Sequence, residues 1–341
     1  MDPLNPASFR HRRADVNGIT YHYVEEGAEN HRALILVHGF PDLWYGWRFQ
    51  IKPLVEAGFR VIVPTMRGYG ASTMELSKEF SPLSTRRKYA LKNICMDLLE
   101  LMDHLKIRTA TFIGHDWGAA VVWRMGLHFP HVVEAICCIN VAYTPPSDAH
   151  PTRDEVLKAA PQAAYQFYFC TDRAEDALNK NIELTMRVLL RSGGNKAERL
   201  TFNPFKNPLT FETVPEDLSP LSTMTPREYS YYVDTFTQST FNGPLNWYRN
   251  RRFNFEDELG LDKVLKMPVF FIYGEKDPVF RPSSLPTMRQ YIQNFSVKSV
   301  PNSGHWTQAE FPDQVNTFLL AWLRDLKPRE TPMLWEKSPK L

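Results

Sequence analysis

The sequence predicts an α/β fold: a mostly parallel central sheet flanked by helices, with a helical cap inserted into it. Three observations predict it. Short continuous apolar runs, among them Ala33–Val37, Ala135–Val141 and Pro268–Tyr273, have the character of buried parallel strands and alternate with helical periodicities. That alternation lapses from Thr144 to about Gly260, where prolines are frequent and helical segments rich in Tyr and Phe take over, and then it resumes. The stretch Thr111–Trp123 is an apolar strand that breaks at Gly114 and turns directly into a helix. These boundaries give a core of residues 1–143 and 261–341 and a cap of residues 144–260.

The elements follow in order. Residues 18–25 alternate in the strand manner, and Ala33–Val37 is the next strand, so two strands open the fold. The second ends in His38-Gly-Phe-Pro41, where Gly39 lets the backbone turn and Phe40 can aim its N–H into a site. Asp42 is then expected to cap a helix containing Trp44, Trp47, Phe49 and Leu54. Residues 60–64 form a buried strand, followed by the glycine-punctuated loop Arg67–Gly70. Ile94, Leu98, Leu101 and Leu105 recur at helical spacing. Beyond the cap, Pro268–Tyr273 and Ser296–Val300 are strands, and Val315, Phe318, Leu319, Trp322 and Leu326 make one face of a closing helix. In such a sheet, catalytic residues gather at the carboxyl ends of the strands.

Composition excludes several classes of function. A chain of 341 residues, 43% hydrophobic and 23% charged with a formal charge of +2, gives no reason to expect nucleic acid or a generally acidic partner. Cys95, Cys137, Cys138 and Cys170 show no metal-ligand spacing and no paired framework, which predicts reduced, buried thiols and a cytoplasmic protein. No stretch reaches the length of a membrane span, and residues 1–17 are too polar for a signal peptide. Pro339-Lys-Leu341 loosely resembles a peroxisomal address.

The chemistry centres on Asp116, at the apex of the strand-to-helix elbow between Gly114 and Gly118. Small residues there let neighbouring backbone pass close, and the positive end of the following helix favours a carboxylate. Where a serine at such an apex attacks carbonyls, an aspartate would form an anhydride. Attack on a saturated carbon carrying a leaving group instead gives an ester that water can cleave, so the residue selects epoxides or alkyl halides. The plainer alternative is that Asp116 merely caps the next helix. Two more residues stand on strand-end loops: Asp277 in Gly274–Pro278, and His305 in Gly304–Gln308. Alone, each could be structural. Together they give the order nucleophile, acid, histidine, which is the α/β-hydrolase order.

His38–Pro41, Gly114–Gly118, Gly274–Pro278 and Gly304–Gln308, with the cap segments Tyr231–Phe236 and Asn246–Asn250, resemble the motifs of α/β-hydrolase-fold epoxide hydrolases. The resemblance is to the hydrolase domain of the soluble enzymes and covers residues 15–326; it includes no phosphatase domain and implies no phosphatase activity. It implies Asp116 as nucleophile, Asp277 and His305 as the charge pair, and Tyr232 and Tyr248 as cap tyrosines that bind the epoxide oxygen, with Tyr231 the neighbouring choice of register. The N–H groups of Phe40 and Trp117 are expected to form the oxyanion hole, and Phe40, Trp117, Tyr232, Tyr248 and Trp306 to line the substrate site. The implied substrates are a small-molecule epoxide and water, with no metal and no organic cofactor. A haloalkane or haloacid dehalogenase is the nearest alternative, since it shares the aspartate, acid and histidine. A ligand-binding protein on the same scaffold is the second.

Overall fold

The computed structural model describes residues 1–72, 83–193, 195 and 218–327. Eight strands form one sheet: β1 (His11–Val16), β2 (Ile19–Glu26), β3 (Arg32–Val37), β4 (Phe59–Pro64), β5 (Ala110–His115), β6 (Val133–Ile139), β7 (Leu265–Gly274) and β8 (Ile292–Val300). Their order is β1-β2-β4-β3-β5-β6-β7-β8. The pairs β1/β2 and β2/β4 are antiparallel, and every later pair is parallel. Central strands β3 and β5 are buried on both faces, which is why they read as unbroken apolar runs.

The sheet opens with three strands rather than two. In β1 only Ala14 and Val16 face the core, while His11, Arg12, Arg13 and Asp15 are exposed. A charged edge strand of this kind carries too little apolar signal to stand out, and its charges discourage further pairing.

Helices cover both faces. The helix Arg48–Glu56 is entered through a 3₁₀ turn at Trp44–Trp47, and Asp42 does not cap it. The Asp42 carboxylate instead accepts the Leu43 N–H at 2.8 Å and the Tyr232 hydroxyl at 2.7 Å. Leu91–His104 buries Ile94, Leu98 and Leu101, with Leu105 as the residue that ends it. Trp117–His128 follows the elbow, and Pro312–Asp325 closes the fold with Val315 and Leu319 inward.

Between β6 and β7 the described residues form helices and connecting turns and no strand. Two of these helices, Arg153–Ala159 and Pro226–Ser239, start with a capping box, Thr152 with Glu155 and Thr225 with Glu228, and the second also has proline in its first turn. This helical layer is fastened to the sheet half by buried polar contacts. Arg48 pairs with Glu228 at 2.6 Å, and the Trp247 indole donates to the Arg67 carbonyl at 3.0 Å.

The four cysteines are free; Cys95, Cys137 and Cys138 are buried and Cys170 is half-buried. Among the described residues no helix is long and apolar enough to cross a membrane. Pro339–Leu341 lies outside the described residues.

Candidate active site

At the elbow Asp116 adopts φ 53° and ψ −123°, backbone that a non-glycine residue holds only when its surroundings over-determine it. The surroundings do so by close backbone contact. A β-carbon on Gly118 would run into the Val37 carbonyl oxygen, and one on Gly39 would lie 2.5 Å from the β-carbon of Asp116. The loop after β3 and the elbow after β5 can therefore touch only because both positions are glycine.

The Asp116 side chain makes no capping bond to its own helix. Its Oδ1 accepts the Phe40 N–H at 2.8 Å, and its Oδ2 lies 3.4 Å from His305 Nε2. That pointing rules against the capping alternative. The Trp117 N–H, at the start of the elbow helix, makes no hydrogen bond to the carboxylate among the described residues, and helix geometry leaves it without an intrahelical acceptor.

His305 Nδ1 lies 3.0 Å from Asp277 Oδ1, which also accepts the Val279 N–H at 2.9 Å. Three further residues hold the histidine loop. His115 Nε2 and Asn140 Nδ2 donate to the His305 carbonyl at 2.7 and 2.6 Å, and Glu310 accepts the N–H groups of Gly304 and Trp306 at 2.7 and 3.0 Å. The Trp306 ring packs against His305 and His115 with centroids 5.3 and 5.4 Å apart.

The cap contributes aromatic rings above Asp116. Phe40 is enclosed by Phe169, Phe241 and Tyr248 at centroid distances of 5.4, 5.9 and 5.2 Å. Trp117 stands edge-on to Tyr248 at 5.0 Å. The Tyr248 ring is thus placed against Phe40 and Trp117, the residues that flank the Asp116 carboxylate. Tyr232 instead faces Asp42: it is fully buried and its hydroxyl donates to the Asp42 carboxylate at 2.7 Å. Its neighbour Tyr231 accepts a hydrogen bond from the Trp44 indole at 2.8 Å. Both hydroxyls of that pair are thus engaged by the Asp42–Trp44 segment.

A second phenol beside that of Tyr248 is Tyr165, on the short helix Ala164–Tyr168, with its ring 6.2 Å from that of Tyr248. Burial raises the Tyr165 hydroxyl, and the charges of Asp116 and Asp277 raise it further. Tyr248 is likewise raised, by burial first, then by Tyr165 and Asp116. Both phenols are therefore protonated donors throughout the physiological range. The sequence signal for Tyr165 lay in Tyr165-Gln-Phe-Tyr-Phe169, where Tyr165 and Phe169 share a helix face four residues apart.

Charge divides the triad. Burial would raise the Asp116 carboxyl, but the hydrogen bond and charge of His305, with the Phe40 N–H, hold it below its usual range. Burial would lower His305, but the carboxylates of Asp277 and Asp116 overcome that and raise it well above an ordinary histidine. His115, buried beside His305, is pushed down to about 4 and is neutral.

These features bring a buried aspartate, a histidine and a second aspartate together at the carboxyl edge of the sheet, and residues 32–312 match the model of the alpha/beta hydrolase fold family. The chain belongs to that family. Within it the chain is a member of the group that includes the epoxide hydrolases. It is 32% identical to epoxide hydrolase A of Mycobacterium tuberculosis over 93% of this chain and 98% of that protein. It is 35% identical to the mouse bifunctional epoxide hydrolase 2 over 94% of this chain, yet it spans only 57% of that protein. The crystal structure of epoxide hydrolase A from Mycobacterium thermoresistibile superposes with a TM-score of 0.78 at 31% identity, covering 94% of this chain and all of the other.

Proposed function

We propose that the chain is an epoxide hydrolase that converts epoxides to vicinal diols through a covalent ester on Asp116. The observation that carries this is the Asp116 carboxylate, with Oδ1 on the Phe40 N–H and Oδ2 toward His305, beneath the phenols of Tyr165 and Tyr248. Oδ2 attacks a ring carbon, the carbon–oxygen bond of the epoxide breaks, and the departing oxygen takes a proton from a phenol. His305, oriented by Asp277, then takes a proton from water, and the hydroxide adds to the Asp116 carboxyl carbon. Oδ1 becomes an oxyanion held by the Phe40 and Trp117 N–H groups, collapse releases the diol with a proton returned from His305, and the proton left on the regenerated Asp116 carboxyl passes to the phenolate, which restores both groups.

The electrostatics support this order of events. Ionised Asp116 is one of the two carboxylates that raise His305. Alkylation converts Asp116 to a neutral ester, which removes that contribution and lowers the histidine's pKa at the moment a base is required.

The rings of Phe40, Phe169 and Phe241 support an apolar epoxide of lipid or xenobiotic origin. The dehalogenase alternative calls for N–H donors aimed at a leaving halide, whereas the cap offers hydroxyls. A cytoplasmic location belongs to the same proposal, supported by four unpaired thiols. The test is His305→Gln incubated with a styrene-type epoxide, with a bromoalkane as control. Intact-mass measurement should give the protein plus one epoxide, and rapid turnover by the variant would refute the two-step scheme.

A further inference from the structure

The segment Asp42–Arg48 grips one cap helix, Pro226–Ser239, at three points. Asp42 Oδ1 accepts the Tyr232 hydroxyl at 2.7 Å, the Trp44 indole donates to the Tyr231 hydroxyl at 2.8 Å, and Arg48 donates to Glu228 at 2.6 Å. All of these side chains except Tyr231 are buried. Only the first contact reaches the oxyanion loop. The same Asp42 oxygen accepts the Leu43 N–H, and the Asp42 N–H donates to the Gly39 carbonyl at 3.1 Å, so Asp42 closes the turn that contains Phe40. The Phe40 N–H in turn holds Asp116 Oδ1.

We propose that Tyr232 is a positioning residue: through Asp42 it fixes the turn that carries the Phe40 N–H, and so it acts on hydrolysis of the ester rather than on its formation. The inference rests on the two-step reading above. Without the Tyr232 hydroxyl, the Asp42 oxygen keeps only the Leu43 N–H in a site shut off from water, and the carboxylate relaxes by turning with its loop. The two chemical steps respond differently to a loosened Phe40 N–H. During alkylation the charge on Asp116 declines, so that bond is worth less in the transition state than before it. During hydrolysis Oδ1 passes from a neutral carbonyl to a full oxyanion, so the bond is worth more.

The experiment measures alkylation and hydrolysis separately in single turnovers. Tyr232→Phe should slow hydrolysis about tenfold, a fraction of the ~10² or more that follows outright loss of an oxyanion donor, and ester should accumulate. Its alkylation rate should stay parental. Asp42→Ala should behave in the same way, and Asp42→Asn should restore hydrolysis because the amide oxygen can accept both bonds. Tyr231→Phe removes a core-to-cap hydrogen bond without touching the oxyanion turn, and it should leave both rates alone. An unchanged hydrolysis rate in Tyr232→Phe would overturn the inference, as would equal slowing by Tyr231→Phe. So would a Tyr232→Phe alkylation defect matching that of Tyr165→Phe. A parental chain that forms no ester would overturn the two-step reading itself, which separates the two failures.

Discussion

Removing the hydroxyls of Tyr165 and Tyr248 tests which phenols open the ring. The two rings lie 6.2 Å apart, Tyr248 is buried, and burial raises the hydroxyls of both. A hydrogen bond to an oxygen gaining charge in such a site contributes about 1.5–3 kcal/mol. At about 1.4 kcal/mol per decade of rate, Tyr165→Phe and Tyr248→Phe should each slow alkylation by about 10-fold to 10²-fold. The double variant should lose about 10² to 10⁴, because the two donors share one oxygen and neither can be replaced by solvent. The assay is stopped-flow tryptophan fluorescence during alkylation by an epoxide. Trp117, with its ring 5.0 Å from Tyr248 and next to Asp116 in the chain, is the natural reporter. Circular dichroism should be unchanged, since the rings still fill the cap. A double variant that alkylates at the parental rate would refute the reasoning, and with it the preference for an epoxide over a halide.

Three other outcomes are expected. In a single turnover in heavy-oxygen water the label should enter Asp116 while the diol receives a protein oxygen; label going straight into the diol would exclude a covalent step. In Asp116→Asn the midpoint of His305, followed by NMR, should fall, because a negative charge that favours the imidazolium has gone. The same raised value sets the sign of a stability effect in the parental chain. The His305 ion-pair contribution is full below its unfolded value of ~6.5 and fades as pH climbs through the folded midpoint, which melting temperature against pH will record. Gly118→Ala should yield little folded protein in a solubility and thermal-melt comparison, since its methyl group meets the Val37 carbonyl where neither backbone can retreat.

The parts of the site that could be read from sequence are those fixed by local geometry. Asp116 follows directly on β5, and Asp277 and His305 lie on the short loops after β7 and β8, so strand and glycine signals alone brought them to one sheet edge. Phe40 was legible for the same reason. The cap phenols were not, because Tyr165 and Tyr232 both sit on cap helices, and only tertiary packing decides which hydroxyl faces the site. Asp42 drew Tyr232 away with a buried carboxylate, a contact between residues 190 apart that no local pattern records. Asn140 and Glu310 went unread for a related reason: they act on backbone groups of the histidine loop, and such partners leave no spacing rule. Strand β1 was hidden by its own charged face.

The strand order has a consequence for the molecule's synthesis. β6 pairs with β7 along Ile136–Ile139, yet residues 140–264 are made between them. At a ribosomal rate of about 5–20 residues per second, that interval lasts on the order of ten seconds. Throughout it the growing chain carries an unpaired edge of Ile136, Cys137, Cys138 and Ile139, apolar and free of the charges that guard β1. The nascent chain is thus most open to mispairing, and to capture by chaperones, after Asp116 has been made and before His305 exists.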